Sequence, residues 1–179
     1  AMPLLWYYVD RQHQKVKPKW KGRALWATFG VAYIIAGIFA LIYLRSFESQ
    51  GLVFIAYLIA VVWGTDTGAY IAGRTIGGVK LLPKISPKKT WAGLFGGMAT
   101  AAILGYFVVN PDNAFTAAAL AMIMALVAQA GDFAESYVKR KVGAKDSGKI
   151  IPGHGGLLDR IDGLLPVALS LAVLVLLFG

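Results

Sequence analysis

The segment 132–163 holds the densest group of residues able to do chemistry in this chain of 179 residues. It contains two pairs of acids at i and i+3, Asp132 with Glu135 and Asp159 with Asp162, among lysines, arginines and glycines. Residues three apart share a helix face, so the members of each pair can act together. Taken alone, each pair also fits solvated acids at a helix end, where an N-terminal dipole favours them.

Asp66 is a further acid, placed inside an otherwise apolar run at 52–73. A charged side chain in the middle of a bilayer costs about 3 kcal/mol, so Asp66 is expected to face protein, water or a bound cation. The alternative is a neutral or snorkelling Asp66 bonded to the threonines beside it. Gly64 and Gly68 flank it at a spacing that permits close helix approach.

Two acid pairs and Asp66 at one depth of the membrane indicate a cation site. Crowded carboxylates repel one another and raise each other's pKa unless a cation keeps them ionised. The chain has no cysteine and two histidines. Hard oxygen ligands without thiolates favour Mg²⁺, Mn²⁺ or Ca²⁺ over zinc.

The stretch 152–156 is a proline- and glycine-rich turn around His154. Backbone amides of such turns approach anions closely, which predicts a phosphate contact. The alternative is a turn in which His154 is incidental.

The stretch 86–90 combines two hydroxyls with Lys88 and Lys89, just before Trp91. Phosphate binding beside the lipid headgroups is one interpretation. The other is anchoring by interfacial cations and an aromatic residue.

The composition indicates an integral membrane protein, because 58% of the residues are hydrophobic, 15% are charged and the mean hydropathy is +0.63. About 20 apolar residues cross the hydrocarbon core as a helix. We predict an all-α integral membrane protein with about five transmembrane helices and two long cytoplasmic loops. The predicted spans are 24–44, 52–73, 90–109, 114–131 and 164–178, following a basic cytoplasmic segment 1–23; residues 24–179 form the predicted membrane-embedded catalytic domain.

The cations predict the orientation. Of the 18 lysines and arginines, only Arg45 falls in a loop on the predicted outer side. Basic residues stay on the cytoplasmic side, so the N-terminus and the candidate site are expected at the cytoplasmic face of the inner membrane. The net charge of +9 then indicates contact with anionic lipid rather than nucleic acid.

The polar loop resembles the signature of phosphatidate cytidylyltransferases, also called CDP-diacylglycerol synthases. The matching positions are Ser136, Lys139, Arg140, Lys145, Asp146, Gly148, Pro152, His154, Gly155, Gly156, Asp159, Arg160 and Asp162. Pieces at 66–70, 86–90 and 131–136 are also similar. Members of the family are usually longer, with further N-terminal membrane helices, and commonly carry Glu or Gln where this chain has Ala92.

The resemblance implies transfer of a cytidylyl group from CTP to phosphatidic acid, with release of pyrophosphate. It implies a divalent metal, Mg²⁺ or Mn²⁺ and possibly a second cation, and leaves homodimerisation open. The implied metal ligands are Asp66, Asp132, Glu135, Asp159 and Asp162. The implied catalytic residues are Asp159, Asp162, Lys145, Arg160 and His154. The implied contacts to substrate phosphates are Ser86, Lys88, Lys89, Thr90, Lys139, Arg140, Gly155 and Gly156.

Three alternatives stay open at this point. One is a cytidylyltransferase for another lipid phosphate, such as the archaeal ether lipid. A second is a small ion or proton transporter that uses Asp66 as a relay. Against it, the predicted first, third and fifth spans contain no acid, whereas a transporter needs ionisable groups along a path through the membrane. The third is a structural subunit without turnover.

Overall fold

The computed structural model describes residues 23–83, 85–141 and 161–178. These residues form five helices and one short hairpin. The helices are α1 (Arg23–Arg45), α2 (Gly51–Thr75), α3 (Trp91–Val108), α4 (Ala114–Lys141) and α5 (Leu164–Phe178); the strands are β1 (Lys80–Leu82) and β2 (Ser86–Thr90), and a 3-10 turn spans Pro111–Asn113.

The helical membrane architecture predicted from the sequence is confirmed. Four of the described helices are long and apolar enough to cross a membrane, and α5, with 15 residues, is a shorter apolar helix. Large apolar side chains such as Phe39, Phe107 and Phe115 point outward and are exposed. An apolar exterior is what a helix bundle presents to lipid, since lipid chains are its solvent.

The fourth span is longer than predicted, because α4 continues from the expected end at 131 to Lys141. Its 28 residues, at about 1.5 Å per residue, measure about 42 Å, against about 30 Å for the hydrocarbon core. The last turns therefore project from the core as helix. Asp132 and Glu135 share this helix, as their spacing predicts, and Lys139 and Arg140, assigned to the following loop, also lie on it.

The stretch after α2 folds into an antiparallel hairpin that the sequence analysis did not predict. Gly77 and Gly78 take positive φ angles of 68° and 89° at the turn out of α2, a conformation that glycine adopts without strain. The strands then pair Lys80 with Thr90. Thr90 was assigned to the third span, but it ends β2, and α3 begins one residue later.

Thr90 joins the hairpin to α3 as a helix cap. Its backbone is extended, and its hydroxyl oxygen accepts a hydrogen bond from the amide of Gly93 at 3.0 Å. This bond satisfies one of the backbone donors that a helix start leaves unpaired. The cap fixes β2, and the lysines on it, relative to the first turn of α3.

Helices α2 and α3 pack backbone to backbone through glycines, as the spacing at Gly64 and Gly68 predicts. A Cβ added at Gly68 would come within 2.6 Å of the Gly96 carbonyl oxygen, and one at Gly97 within 2.8 Å of the Thr65 oxygen. Only glycine permits such an approach. The contact holds the Asp66 turn of α2 beside the start of α3.

The other helices close the bundle around a core of small and aliphatic side chains. The Tyr57 hydroxyl, buried on α2, donates to the Ala117 carbonyl on α4 at 2.7 Å. Leu165 of α5 packs against Gly37 of α1. The C-terminal ends of α2 and α4, the N-terminal ends of α3 and α5, and the hairpin thus meet at one end of the bundle.

Candidate active site

A cavity of about 210 Å³ lies at this end of the bundle, between α2, β2, α3 and α4. Asp66 is exposed on α2 and faces it, and Lys88 and Lys89 reach it from β2. The lining residues are Asp66, Ala69, Tyr70, Gly73, Lys88, Lys89, Thr90, Gly93, Leu94 and Gln129. Asp66 and the 86–90 stretch, far apart in the chain, therefore share one cavity.

Lys89 connects the hairpin to α4. Its ammonium group lies 2.5 Å from an Asp132 carboxylate oxygen and donates to the side-chain oxygen of Gln129 at 3.1 Å. It also lies 4.5 Å from the centre of the Phe133 ring, within range of a cation–π interaction. Three kinds of contact hold this lysine, so its charge is largely directed at α4.

Asp132 is held on its other side by its own helix. The Ser136 hydroxyl, one turn later, donates to the second carboxylate oxygen of Asp132 at 3.2 Å. The Asp132 side chain is only partly buried, with 34% of its surface exposed. Asp66 interacts electrostatically with Lys89, Asp132 and Asp162, which places these charges in one neighbourhood.

Asp162 is positioned by close contact between the start of α5 and α4. A Cβ added at Gly131 would come within 2.6 Å of the Asp162 carbonyl oxygen. The Asp162 carboxylate accepts a hydrogen bond from the amide of Gly163 at 2.8 Å. Burial and then the nearby Asp132 charge raise the pKa of Asp162, while a hydrogen bond with Glu135 and the Gly163 amide act in the opposite direction.

Glu135 completes the group of acids on α4. It lies one turn from Lys139, with 3.5 Å between the carboxylate and the ammonium group. Both side chains are mostly buried, with 11% and 17% of their surface exposed. The pair at i and i+4 is a helix-stabilising arrangement, and it directs Lys139 toward the acids.

The described acids carry the oxygen donors that a hard cation such as Mg²⁺ prefers, but they do not surround a common point as the ligands of a metal ion would. No group of three or more His, Cys, Asp or Glu side chains within the described ranges is arranged to hold a metal ion. Lysines neutralise two of the acids instead, Lys89 at Asp132 and Lys139 at Glu135. Carboxylate oxygens suit Mg²⁺ or Mn²⁺, so the residue types fit the expected metal.

Three described residues that were predicted to bind phosphate do not line the cavity: Ser86, Lys139 and Arg140. Ser86 starts β2, four residues from Thr90, which is about 13 Å at about 3.3 Å per residue. Arg140 lines a separate apolar groove with Leu82 and Tyr137. Lys145, His154, Gly155, Gly156, Asp159 and Arg160 lie outside the described residues.

The sequence profile of the cytidylyltransferase family matches residues 2–178. The chain belongs to the cytidylyltransferase family. A Brucella suis protein named phosphatidate cytidylyltransferase is 45% identical over 164 residues, covering 90% of this chain and 59% of that protein. Proteins of the same name from Staphylococcus haemolyticus and Staphylococcus aureus are 41% and 40% identical over 157 residues, covering 86% of this chain and 59% of each relative.

The resemblance seen in the polar loop is therefore confirmed at the level of the family. The chain spans 59% of the length of these curated relatives. The residues that line the cavity of this cytidylyltransferase-family chain come from α2, which precedes the hairpin, from β2, and from α3 and α4, which follow it. The region matched by the family profile includes all of them.

Two residues of the site, Gln129 and Tyr70, were given no role by the sequence analysis. Gln129 is 6% exposed and accepts from Lys89, and Tyr70 forms part of the cavity wall. Gln129 carried a signal, since it is a polar residue inside an apolar span and lies three positions before Asp132. Tyr70 carried a weaker one, because an aromatic residue near the end of a span is ordinary.

Proposed function

We propose that this protein is a phosphatidate cytidylyltransferase. A phosphate oxygen of phosphatidic acid attacks the α-phosphorus of CTP, the bond from that phosphorus to the bridging oxygen breaks, and CDP-diacylglycerol and pyrophosphate are formed. Family membership and the names of the relatives support this reaction. The observation that carries it is the cavity in which Asp66 faces Lys88 and Lys89 beside Asp132.

The reaction needs positioning more than covalent chemistry. The lipid phosphate is already an anionic nucleophile, so no side chain has to become covalently bound. What the protein has to supply is close approach of two polyanions and stabilisation of the charge on pyrophosphate. A cavity with two lysines on one wall and the Asp66 carboxylate on the other, close to the Asp132 charge, supports both tasks.

Lys88 is the cation best placed to contact the nucleotide phosphates. It is exposed on β2 and lines the cavity, and within the described residues it takes part in no ion pair. Lys89 differs, because Asp132 already balances its charge. Lys89 and Gln129 are assigned to holding Asp132 in place.

The predicted ligands of the divalent cation, Mg²⁺ or Mn²⁺ and possibly a second ion, stay Asp66, Asp132, Glu135, Asp162 and Asp159. The described acids among them lie near one another but do not bring three carboxylates into a metal-holding arrangement. A bound divalent cation supplies charge neutralisation on the phosphates. The lysines paired with Asp132 and Glu135 hold those carboxylates in place. Lys145, His154, Gly155, Gly156 and Arg160 stay predicted substrate contacts.

The orientation belongs to the same proposal. The described end that carries the cavity also carries Arg74, Lys80 and the lysines of β2, whereas Arg45 lies at the other end. Basic ends of membrane helices face the cytoplasm. We place the N-terminus and the active site on the cytoplasmic side of the inner membrane, where CTP is available.

The transporter alternative receives no support from the described helices. The acids of the cavity region cluster at one end of the bundle, and Asp112 lies in the turn at the other end. A relay needs ionisable groups between the two ends.

The choice between diacyl and ether lipid phosphates stays a prediction, and paired assays with diacyl and diether phosphates decide it. Homodimerisation also stays a prediction.

The reaction is tested with labelled CTP and phosphatidic acid in detergent micelles. We expect labelled CDP-diacylglycerol and pyrophosphate in equal amounts, no product with ATP or GTP, and loss of turnover when EDTA removes divalent ions. Added Mg²⁺ should restore turnover. Product formation at full rate in EDTA would contradict the proposed metal dependence, and absence of product from the wild type would overturn the proposed activity.

Lys88→Gln is expected to raise the KM for CTP about tenfold, because a charged hydrogen bond to phosphate is lost. The KM for phosphatidic acid should change by less than about twofold, because Lys88 is assigned to the nucleotide and loses no hydrogen bond to the lipid. Initial rates at varied CTP measure this. Lys80→Gln is the matched control, an exposed lysine on β1 outside the cavity. An unchanged KM for CTP in Lys88→Gln would remove Lys88 from the site.

A further inference from the structure

Arg74 and Tyr70 form a polar pair at the edge of the cavity. The Arg74 guanidinium donates to the Tyr70 hydroxyl oxygen at 2.6 Å and lies 5.9 Å from the centre of the tyrosine ring. Both residues are exposed. Tyr70 lines the cavity together with Asp66, so one hydrogen bond connects Arg74 to the cavity wall.

The same pair lies on the outward stripe of α2. Trp63 and Tyr70 are seven residues apart, two helical turns, and have 67% and 63% of their surface exposed. Arg74 follows one turn later in the last turn of the helix. Ile71, beside Tyr70, is also exposed at 55%. Because this stripe belongs to an apolar span, it faces the lipid. Tyr70 therefore lies between the lipid and the cavity.

Arg74 has the position and the free donors to bind a phosphate at this boundary. It occupies the end of a span, where lipid headgroups lie, and only one of its described contacts is a hydrogen bond. A guanidinium carries five N–H donors in a geometry that matches phosphate oxygens. Within the described residues it takes part in no ion pair.

We propose that Arg74 binds the phosphate of the anionic lipid substrate as the lipid enters the cavity from the bilayer past Tyr70. This inference rests on the proposed function and assigns the lipid to one side of the cavity. Lys88 lies on the hairpin wall and takes the nucleotide, while Arg74 lies at the cavity edge, bonded to Tyr70. Tyr70 is a positioning residue, because its hydroxyl aims the guanidinium at the cavity edge.

The test separates the two substrates. In mixed micelles, Arg74→Gln should raise the KM for phosphatidic acid, measured as mole fraction, about tenfold, because charged hydrogen bonds to the phosphate are lost. The KM for CTP should be unchanged. Arg74→Lys keeps the charge but loses the forked donors, so its KM for the lipid should lie between that of the wild type and that of Arg74→Gln. Tyr70→Phe should show a smaller rise in the same constant.

Direct binding keeps the test independent of turnover. Soluble dihexanoyl phosphatidic acid should bind Arg74→Gln about tenfold more weakly than the wild type, in line with the loss of a charged contact. Arg45→Gln is the matched control, an exposed arginine that ends α1, and should leave both constants unchanged. Equal lipid affinity and equal lipid KM in Arg74→Gln and wild type would overturn the inference, as would equal losses for both substrates.

The same measurements distinguish this inference from the proposed function. If the wild type turns over and Arg74→Gln behaves like it, only the role of Arg74 fails. If the wild type forms no product yet binds the short-chain lipid through Arg74, the reaction fails and the lipid site stands. If the wild type neither turns over nor binds the lipid, both fail.

Discussion

Asp162→Asn is expected to lower the rate of cytidylyl transfer about 100-fold to 1,000-fold, the loss typical when one charge-stabilising group is removed from an active site. Asparagine has the shape of aspartate and keeps an oxygen for the Gly163 amide, so the bond at 2.8 Å is retained. What disappears is an ionisable carboxyl group close to Asp132 and Glu135. The loss should appear in kcat at saturating CTP and lipid.

Asp112→Asn is the control for this prediction. Asp112 is an exposed carboxylate in the turn before α4, at the opposite end of the bundle, and its replacement should leave turnover unchanged. A Mg²⁺ titration adds a second readout, because Asp162→Asn should require more Mg²⁺ for half-maximal rate. Full activity at wild-type Mg²⁺ would remove Asp162 from the metal ligands.

Gly131→Ala is expected to damage the site through the backbone. The added methyl would lie within 2.6 Å of the Asp162 carbonyl oxygen and would contact the Pro166 ring. Neither neighbour is the flexible end of a side chain, so α5 has to move away from α4. Overpacking of this kind costs about 1–3 kcal/mol of stability. We expect a lower thermal midpoint and, because Asp162 moves with its carbonyl, a turnover reduced by about tenfold or more.

Gly30→Ala is the matched control on α1. A Cβ at Gly30 meets nothing within 4 Å, and alanine favours helix over glycine by about 1 kcal/mol. Its thermal midpoint should be equal to or above that of the wild type, with normal turnover. If Gly131→Ala were as stable and as active as Gly30→Ala, the contact between Gly131 and Asp162 would not position the site.

Residue types were enough to predict the acids, since an apolar chain keeps few of them. An acid inside an apolar span, such as Asp66, and acid pairs at i and i+3 are unusual in such a chain, and this indicated a functional role. Lys89 shows the limit of this reasoning. Its charge predicts a phosphate contact, which stays a prediction, but nothing in the sequence predicts the pairing with Asp132 and Gln129 that the fold shows. Partner choice across 40 residues depends on how the hairpin docks on α4, and a local pattern carries no such information.

Ser86 and Lys88 make the same point within one strand. They belong to one short stretch, and the sequence analysis gave them one role. Only Lys88 lines the cavity, because β2 runs outward from the Thr90 cap and carries Ser86 away from it. The hairpin itself went unpredicted, since its strands are three and five residues long and are fixed by the glycine turn and by pairing with each other.

By itself, the sequence determined the membrane class, the approximate spans, the grouping of cations at one end and the family, because hydropathy, charge and motif spacing are local properties. The tertiary structure decided which groups share a cavity and which neutralise each other. It brought Asp66, Lys88 and Asp132 together and turned Arg74 toward Tyr70. The physical reason is close packing: glycines at the α2–α3 crossing and at Gly131 let backbones approach until distant side chains meet.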